Sequence, residues 1–207
     1  MSAFPLGRGP FLIAGPCAIE DDGVMAQIAD TLAALGERLR LPVCFKASFD
    51  KANRARGDAP RGPGLEEGLA ALERVRARTG LPILTDIHEP GQADAVAAVV
   101  DVLQIPAFLC RQTDLLGAAG RTGRPVEKVR GAGSAEVAVR ARGTFLGYGD
   151  LVVDFRNLPR LREATGAAVV YDATHSVQQP GGAAGGASGG LREYIPTLLL
   201  AAAAAGA

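Results

Sequence analysis

The sequence predicts an α/β fold built on a parallel sheet or barrel, and three observations carry that expectation. Short apolar runs of strand length alternate with apolar patterns of helical period, as parallel strands with helical crossovers require. The residues after each apolar run are reactive or anion-binding. The composition is that of a soluble globular protein with core enough for one domain or two: 207 residues, 22 basic against 22 acidic side chains, and 48% hydrophobic residues.

The first apolar run, Phe11–Ala14, exits into Gly15-Pro16-Cys17, and Gly23–Arg38 follows with Val24, Ile28, Leu32 and Leu35 on one helical stripe. Leu41–Phe45 exits into Lys46-Ala47-Ser48-Phe49-Asp50-Lys51 and is followed by a helical pattern over Gly64–Thr79. Leu81–Leu84 exits into Thr85-Asp86-Ile87-His88-Glu89, with a helix expected over Gln92–Val99. Val99–Ile105 reads as one buried strand ending in Gln104-Ile105-Pro106. Glu136–Val139 leads into Arg140-Ala141-Arg142-Gly143, then a helix over Asp150–Thr165, interrupted by Pro159. Ala167–Tyr171 ends in Asp172-Ala173-Thr174-His175-Ser176. The Gly-rich stretch Gln178–Gly190 reads as a loop, either a plain surface connection or a mobile cover for the strand exits. Ile195–Ala207 is shorter than the ~18 residues of a membrane span and reads as a buried helix.

Parallel strands point one way, so six such exits are expected on one face, where ligands bind in barrels and open α/β sheets. Zero net charge argues against a protein that coats nucleic acid or an anionic membrane, so anions must be met locally. Lys46, Lys51, Arg54, Arg61, Arg111 and Arg142 lie at or just after strand ends and suit phosphate and carboxylate. Cys17, Cys44 and Cys110 are too few and too scattered for a disulfide framework. With no secretory signal, a reducing cytoplasm is expected. Cys17 and His175 lie at the exits of the first and last strands; zinc, iron or manganese suits that pair, and an inert or catalytic thiol is the alternative for Cys17. Cys44 and Cys110 read as packing residues. Asp86 and His88 are not expected to face inward together along one regular strand unless the turn at the strand exit relieves that limit, and are taken as substrate contacts rather than metal ligands. Asp172 either orients a ligand or caps the segment after it.

Several long motifs resemble the 3-deoxy-D-manno-octulosonate-8-phosphate synthases: Phe11-Leu12-Ile13-Ala14-Gly15-Pro16-Cys17, Phe45-Lys46-Ala47-Ser48-Phe49-Asp50-Lys51-Ala52-Asn53-Arg54, Thr85-Asp86-Ile87-His88-Glu89-Pro90, the Gln104–Leu115 stretch, Gly147–Asp154 and Asp172–Ser176. The resemblance covers nearly the whole chain. It implies a single (β/α)8 barrel domain over residues 1–207 and condensation of phosphoenolpyruvate with D-arabinose 5-phosphate, releasing phosphate, for lipopolysaccharide biosynthesis. It also implies a cytoplasmic homotetramer that binds neither nucleic acid nor membrane. By position, Lys46, Lys51, Arg111 and Arg142 hold phosphoenolpyruvate. Asn53 and Arg54 take the sugar phosphate, Arg54 from a neighbouring subunit. Asp86 and Gln104 meet the sugar, and Ser48 and Arg61 complete the substrate-binding set. Lys46, Asp86 and His175 are the catalytic candidates. A cysteine at position 17 implies the metal-dependent type, with Cys17 and His175 as two ligands of a divalent metal.

The sequence departs from that family's pattern in three places. One interior strand with its lysine is expected to be missing after Gly123-Arg124-Pro125, where Val126–Arg130 resembles the end of the helix that should follow. The final strand with two acidic metal ligands is expected to be missing after Ala207, leaving the domain incomplete at its C-terminus. Ala55 stands where a phosphate-binding serine is usual. The alternatives are a 3-deoxy-D-arabino-heptulosonate-7-phosphate synthase, against which Lys51-Ala52-Asn53-Arg54 argues, and a non-catalytic phosphosugar-binding remnant.

Overall fold

A computed structural model describes residues 4, 6–52, 61–127, 136–143, 145–147, 149–179, 182 and 189–207. The chain divides into two compact units, residues 1–137 and 138–207.

In the first unit, strands β1 (Leu12–Ala14), β2 (Val43–Lys46), β3 (Ile83–Asp86), β4 (Val102–Gln104) and β5 (Val126–Glu127) pair in chain order, every pair parallel. The crossovers carry α1 (Asp22–Leu39), α2 (Leu65–Thr79), α3 (Ala93–Val99) and α4 (Thr113–Arg121). Asp21 starts α1 by accepting hydrogen bonds from the Gly23 and Val24 amides at 3.0 and 3.1 Å. Gly80, in the left-handed region at φ 70°, ends α2.

The register gives each strand two different faces. Phe45 pairs with Ile83, and Leu103 with Val126; with Val43 they pack on Met25, Leu32, Leu72, Val75 and Val96 in the core under the helices. Each such side chain, fully buried, contributes about 1.5–3 kcal/mol. Lys46 pairs with Leu84, and Asp86 with Gln104, so these lie on the opposite face. That face is apolar at Leu84 and Val102 and turns polar at the strand ends. The continuous apolar runs read from the sequence therefore reflect strands covered on both sides.

The second unit contains β6 (Val137–Ala141), a hairpin of β7 (Phe145–Gly147) and β8 (Asp150–Val152), α5 (Asn157–Thr165), β9 (Ala168–Tyr171), α6 (Ala173–Ser176), β10 (Gln178–Gln179), β11 (Gly189–Gly190) and α7 (Ile195–Ala204). β6 and β9 are parallel, while β7–β8 and β10–β11 are antiparallel ribbons. Leu158, Val169 and Ala202 form its core.

The parallel β/α repeat is the predicted class, with four corrections. Val126 and Glu127 form β5 beside β4, so an interior strand does stand where none was expected and where a helix end had been read; the Val126 amide donates to the Glu136 carbonyl at 3.0 Å. Residues 128–130 of that reading lie outside the described residues. The expected strand Val99–Ile105 is shorter because α3 runs through Val99, and Asp101 turns its carboxylate onto the Ile83 amide at 2.8 Å. Asp150–Val152 is strand rather than helix: the bulky Leu151-Val152 pair with Phe145-Leu146 across Gly149, which is at φ 79°. The helix starts only at Asn157, behind Asp154, whose carboxylate accepts from the Arg156 amide at 3.1 Å. Pro159 then falls in the first turn, where its missing N–H would have had no intrahelical acceptor, so it interrupts nothing. Finally, the apolar C-terminal run is helical but not buried: Ala202 packs inward while Leu200 is 72% exposed. Among the described residues no helix is long and apolar enough to cross a membrane.

Candidate active site

The polar ends of β2 and β3 build one cluster. The β1 exit approaches β2 so closely that a Cβ on Gly15 would lie 1.9 Å from the Lys46 carbonyl oxygen. Past that point Ala18 and Ser48 form one further parallel bridge. Lys46 Nζ donates to Ser48 Oγ at 2.9 Å and to the Cys17 carbonyl at 3.4 Å, and it stands 4.0 Å from Asp86 Oδ1. Phe49 turns into the core, and the chain comes back with Lys51 Nζ donating to the same Ser48 Oγ at 2.8 Å.

Asp86 is 5% exposed and His88 lies beside it, its Nε2 3.3 Å from Asp86 Oδ2. Residues two apart on extended backbone share a face, so the expectation that this pair would not face inward together is corrected. Burial pushes the Asp86 carboxyl up, but the His88 hydrogen bond and the Lys46 charge outweigh it and hold the carboxyl well below the usual carboxylate range. An ionised carboxylate only accepts, so Nε2 carries the His88 proton. Asp86 Oδ1 and His88 Nδ1 are buried with no hydrogen-bond partner among the described residues, which marks them as atoms awaiting a ligand or water. Gln104 is buried on the same face.

In the second unit Asp172 organises the exit of β9. Its Oδ1 accepts from the His175 amide at 3.0 Å, and its Oδ2 lies 2.8 Å from His175 Nδ1. Arg140 Nη1, at the end of β6, is 3.4 Å from Asp172 Oδ2. Burial raises the Asp172 carboxyl, and the His175 and Arg140 contacts more than reverse it, holding it well below the usual range. The single Ser176 hydroxyl hydrogen is shared between the Arg142 and Asp172 carbonyls, 2.8 and 2.7 Å from Oγ, tying the two strand exits together. Asp172 therefore caps the turn, and its second oxygen also fixes the His175 imidazole.

The remaining site candidates fall as follows. Cys17 is exposed at the β1 exit; its carbonyl accepts from Lys46 and from the Ser48 amide. Arg61 pairs through Nε and Nη2 with both carboxylate oxygens of Asp50, Nε at 2.8 Å. Arg111 is exposed in the turn before α4, and Arg142 is half-buried after β6. Asn53 and Arg54 lie outside the described residues, as does most of the Gly-rich stretch, whose two ends are joined by β10 and β11. Among the described residues no three His, Cys, Asp or Glu side chains are grouped to hold a metal. His175 nevertheless fits a ligand's role, because its Nδ1 is turned onto the Asp172 carboxylate, the arrangement that fixes the tautomer of a coordinating imidazole. Sequence reasoning did not single out Arg140 or the His88–Asp86 contact; the i, i+2 spacing was the signal for the second.

Parallel β/α units whose strand exits gather lysines, arginines and buried carboxylates define an enzyme-type α/β fold suited to phosphorylated anions. The chain belongs to the DAHP synthetase I family, whose model matches residues 6–145. Its relatives include proteins named 2-dehydro-3-deoxyphosphooctonate aldolase. That of Desulfatibacillum aliphaticivorans is 49% identical, the alignment covering 97% of this chain and 79% of the relative. Those of a Cyanothece and a Synechococcus species are 51% and 52% identical, covering 97% and 98% of this chain and 80% and 78% of theirs.

Proposed function

We propose that this chain condenses phosphoenolpyruvate with D-arabinose 5-phosphate to give 3-deoxy-D-manno-octulosonate 8-phosphate and inorganic phosphate, for lipopolysaccharide biosynthesis in the cytoplasm. The observation that carries this reading is the pair of ammonium groups, Lys46 and Lys51, beside the buried Asp86 carboxylate at adjoining strand exits.

Such a site separates two tasks. The lysines, with Arg111 and Arg142, neutralise the enolpyruvate's phosphate and carboxylate. Asp86, ionised and with Oδ1 open to a donor, accepts a hydroxyl of the sugar, and Gln104 supplies a neutral amide beside it. C3 of the enolpyruvate then attacks the aldehyde while water adds at C2, and the C–O bond to phosphate breaks. Cys17 and His175 are the residues that would hold a divalent metal; when bound, it would supply polarisation of the aldehyde or help activate water. Asn53 and Arg54 complete the sugar-phosphate site, Arg54 across the interface of a homotetramer.

The test is to incubate the purified protein with phosphoenolpyruvate and either arabinose 5-phosphate or erythrose 4-phosphate. Phosphate release is followed before and after chelation and metal add-back. Release with the arabinose ester, lost on chelation and restored by metal, is the expected outcome. Release with the erythrose ester instead would assign the heptulosonate reaction, and none with either would overturn the enzyme reading. Arabinose-specific release that survives thorough metal removal would refute the role given to Cys17.

A further inference from the structure

The two lysines of the proposed site meet at one atom. A serine hydroxyl has two lone pairs and one hydrogen, and both acceptor positions of Ser48 Oγ are used, by Lys46 Nζ at 2.9 Å and Lys51 Nζ at 2.8 Å. Ser48 is 0% exposed. Its backbone is fixed at both ends of the residue: the amide donates to the Cys17 carbonyl at 3.2 Å and the carbonyl accepts from the Ile19 amide at 3.0 Å. The oxygen is therefore a rigid point on the β1–β2 seam. The ammonium groups it holds sit on flexible four-carbon stems and repel each other. Without the shared acceptor those stems would spread their charges apart.

We propose that Ser48 is a positioning residue, which pins Lys46 and Lys51 as a pair for the phosphoenolpyruvate anion and does not itself donate to it. This rests on the phosphoenolpyruvate reading above. It assigns Ser48 a role different from the direct substrate contact expected from the sequence, because the lysines take both its acceptor positions and its one hydrogen bonds the Asp86 carboxylate, helping to hold that carboxyl below its usual range. Pre-pairing matters for affinity: one anionic group that bridges two held ammoniums loses less freedom on binding than one that must gather them.

The experiment is steady-state kinetics of Ser48→Ala, Lys51→Ala and the double variant. Ser48→Ala is expected to raise the KM for phosphoenolpyruvate roughly tenfold or more, the scale of a lost hydrogen bond to a charged group. The KM for arabinose 5-phosphate should stay within about twofold, and on the Lys51→Ala background the serine change should add less than about twofold. A rise confined to the KM for the sugar phosphate would overturn the proposal by making the hydroxyl a sugar contact. Effects of the two single variants that simply multiply would overturn it as well. Should the alanine variant fail to melt cooperatively, Ser48→Cys, of similar shape but a weak acceptor, gives the same comparison. Failure of the functional reading is distinguishable, since the parent protein then releases no phosphate with either sugar. Calorimetric titration with phosphoenolpyruvate alone then decides: weaker binding by Ser48→Ala supports the pinning, while equal binding, or none by the parent, overturns it.

Discussion

Asp172 holds His175 at two points, the backbone amide through Oδ1 at 3.0 Å and the ring Nδ1 through Oδ2 at 2.8 Å. A carboxylate that caps a residue's backbone and clamps its imidazole fixes the tautomer and the ring plane together. His175 thus presents Nε2 from a turn of only four helical residues, Ala173–Ser176, too short to hold a ring steady by itself.

Asp172→Asn separates these two duties. The amide oxygen can still cap the His175 amide, but the negative charge that orients and strengthens the imidazole is gone. The expected result is a ~10–100-fold loss of affinity for divalent metal, read by competition with a chromophoric chelator. The melting temperature should change little by comparison. Unchanged metal affinity would remove His175 from the proposed ligand pair.

A second expectation concerns acid. Burial raises the Asp86 carboxyl, but the His88 and Lys46 contacts hold it below its ordinary value in the folded chain, against about 3.9 when unfolded. The unfolded state therefore binds the proton first as pH falls. The stability this contributes is complete above about pH 5 and drains away as pH drops below about 4 toward the folded value. Urea midpoints at pH 7, 5, 4 and 3 should fall for the parent, and fall less steeply for Asp86→Asn, which starts lower at pH 7. Parallel pH profiles for the two proteins would show that Asp86 is not held ionised by its neighbours.

Much of this site was legible because parallel strands declare their exits. Lys46, Asp86 and Gln104 could be placed at strand ends from the apolar runs before them, and the register sets Asp86 beside Gln104 on one face. What the linear pattern could not supply was pairing across the chain. That Ser48 joins two lysines, or that Asp172 meets Arg140, depends on where loops return after a buried Phe49 or a turn at Ser176. Short elements were misjudged for a related reason. Asp150–Val152 borders a helical pattern, but Gly149 at φ 79° favours a hairpin that burial periodicity does not reveal. Two-residue β5 carries no periodicity at all and exists because β4 offers it an edge.

Ion pairs in the first unit should divide by burial. Asp101 accepts from the Arg76 guanidinium and from the Ile83 amide at 2.8 Å, with its side chain 15% exposed and that of Arg76 25%. Removing the carboxylate leaves a partly buried guanidinium and a strand N–H without their acceptor. Asp101→Ala should cost about 2 kcal/mol in chemical unfolding. Arg78, bonded to Asp30 in two places but about half exposed, competes with water for the same bonds. Arg78→Ala should therefore shift the midpoint far less than Asp101→Ala. The reverse order would mean that the surface pairs between α1 and α2 matter more than the strand-anchoring one.

The last expectation is steric and links the fold to the site. A Cβ at Gly15 would fall 1.9 Å from the Lys46 carbonyl oxygen and 2.8 Å from its carbonyl carbon. Both are main-chain atoms, so no rotamer change relieves the contact and the β1 exit must move away from β2. That movement pulls on the seam where the Cys17 carbonyl meets the Lys46 ammonium and the Ser48 amide. Gly15→Ala is expected to lower stability by roughly 2–3 kcal/mol and to weaken phosphoenolpyruvate binding in the molecules that remain folded. Gly91→Ala is the matched control, because a Cβ there meets nothing within 4 Å. It should stay within about 0.5 kcal/mol of the parent with binding unchanged. Equal stability and binding in the two variants would show that β1 can withdraw from β2 at no cost, and that the lysine pair is not set by that seam.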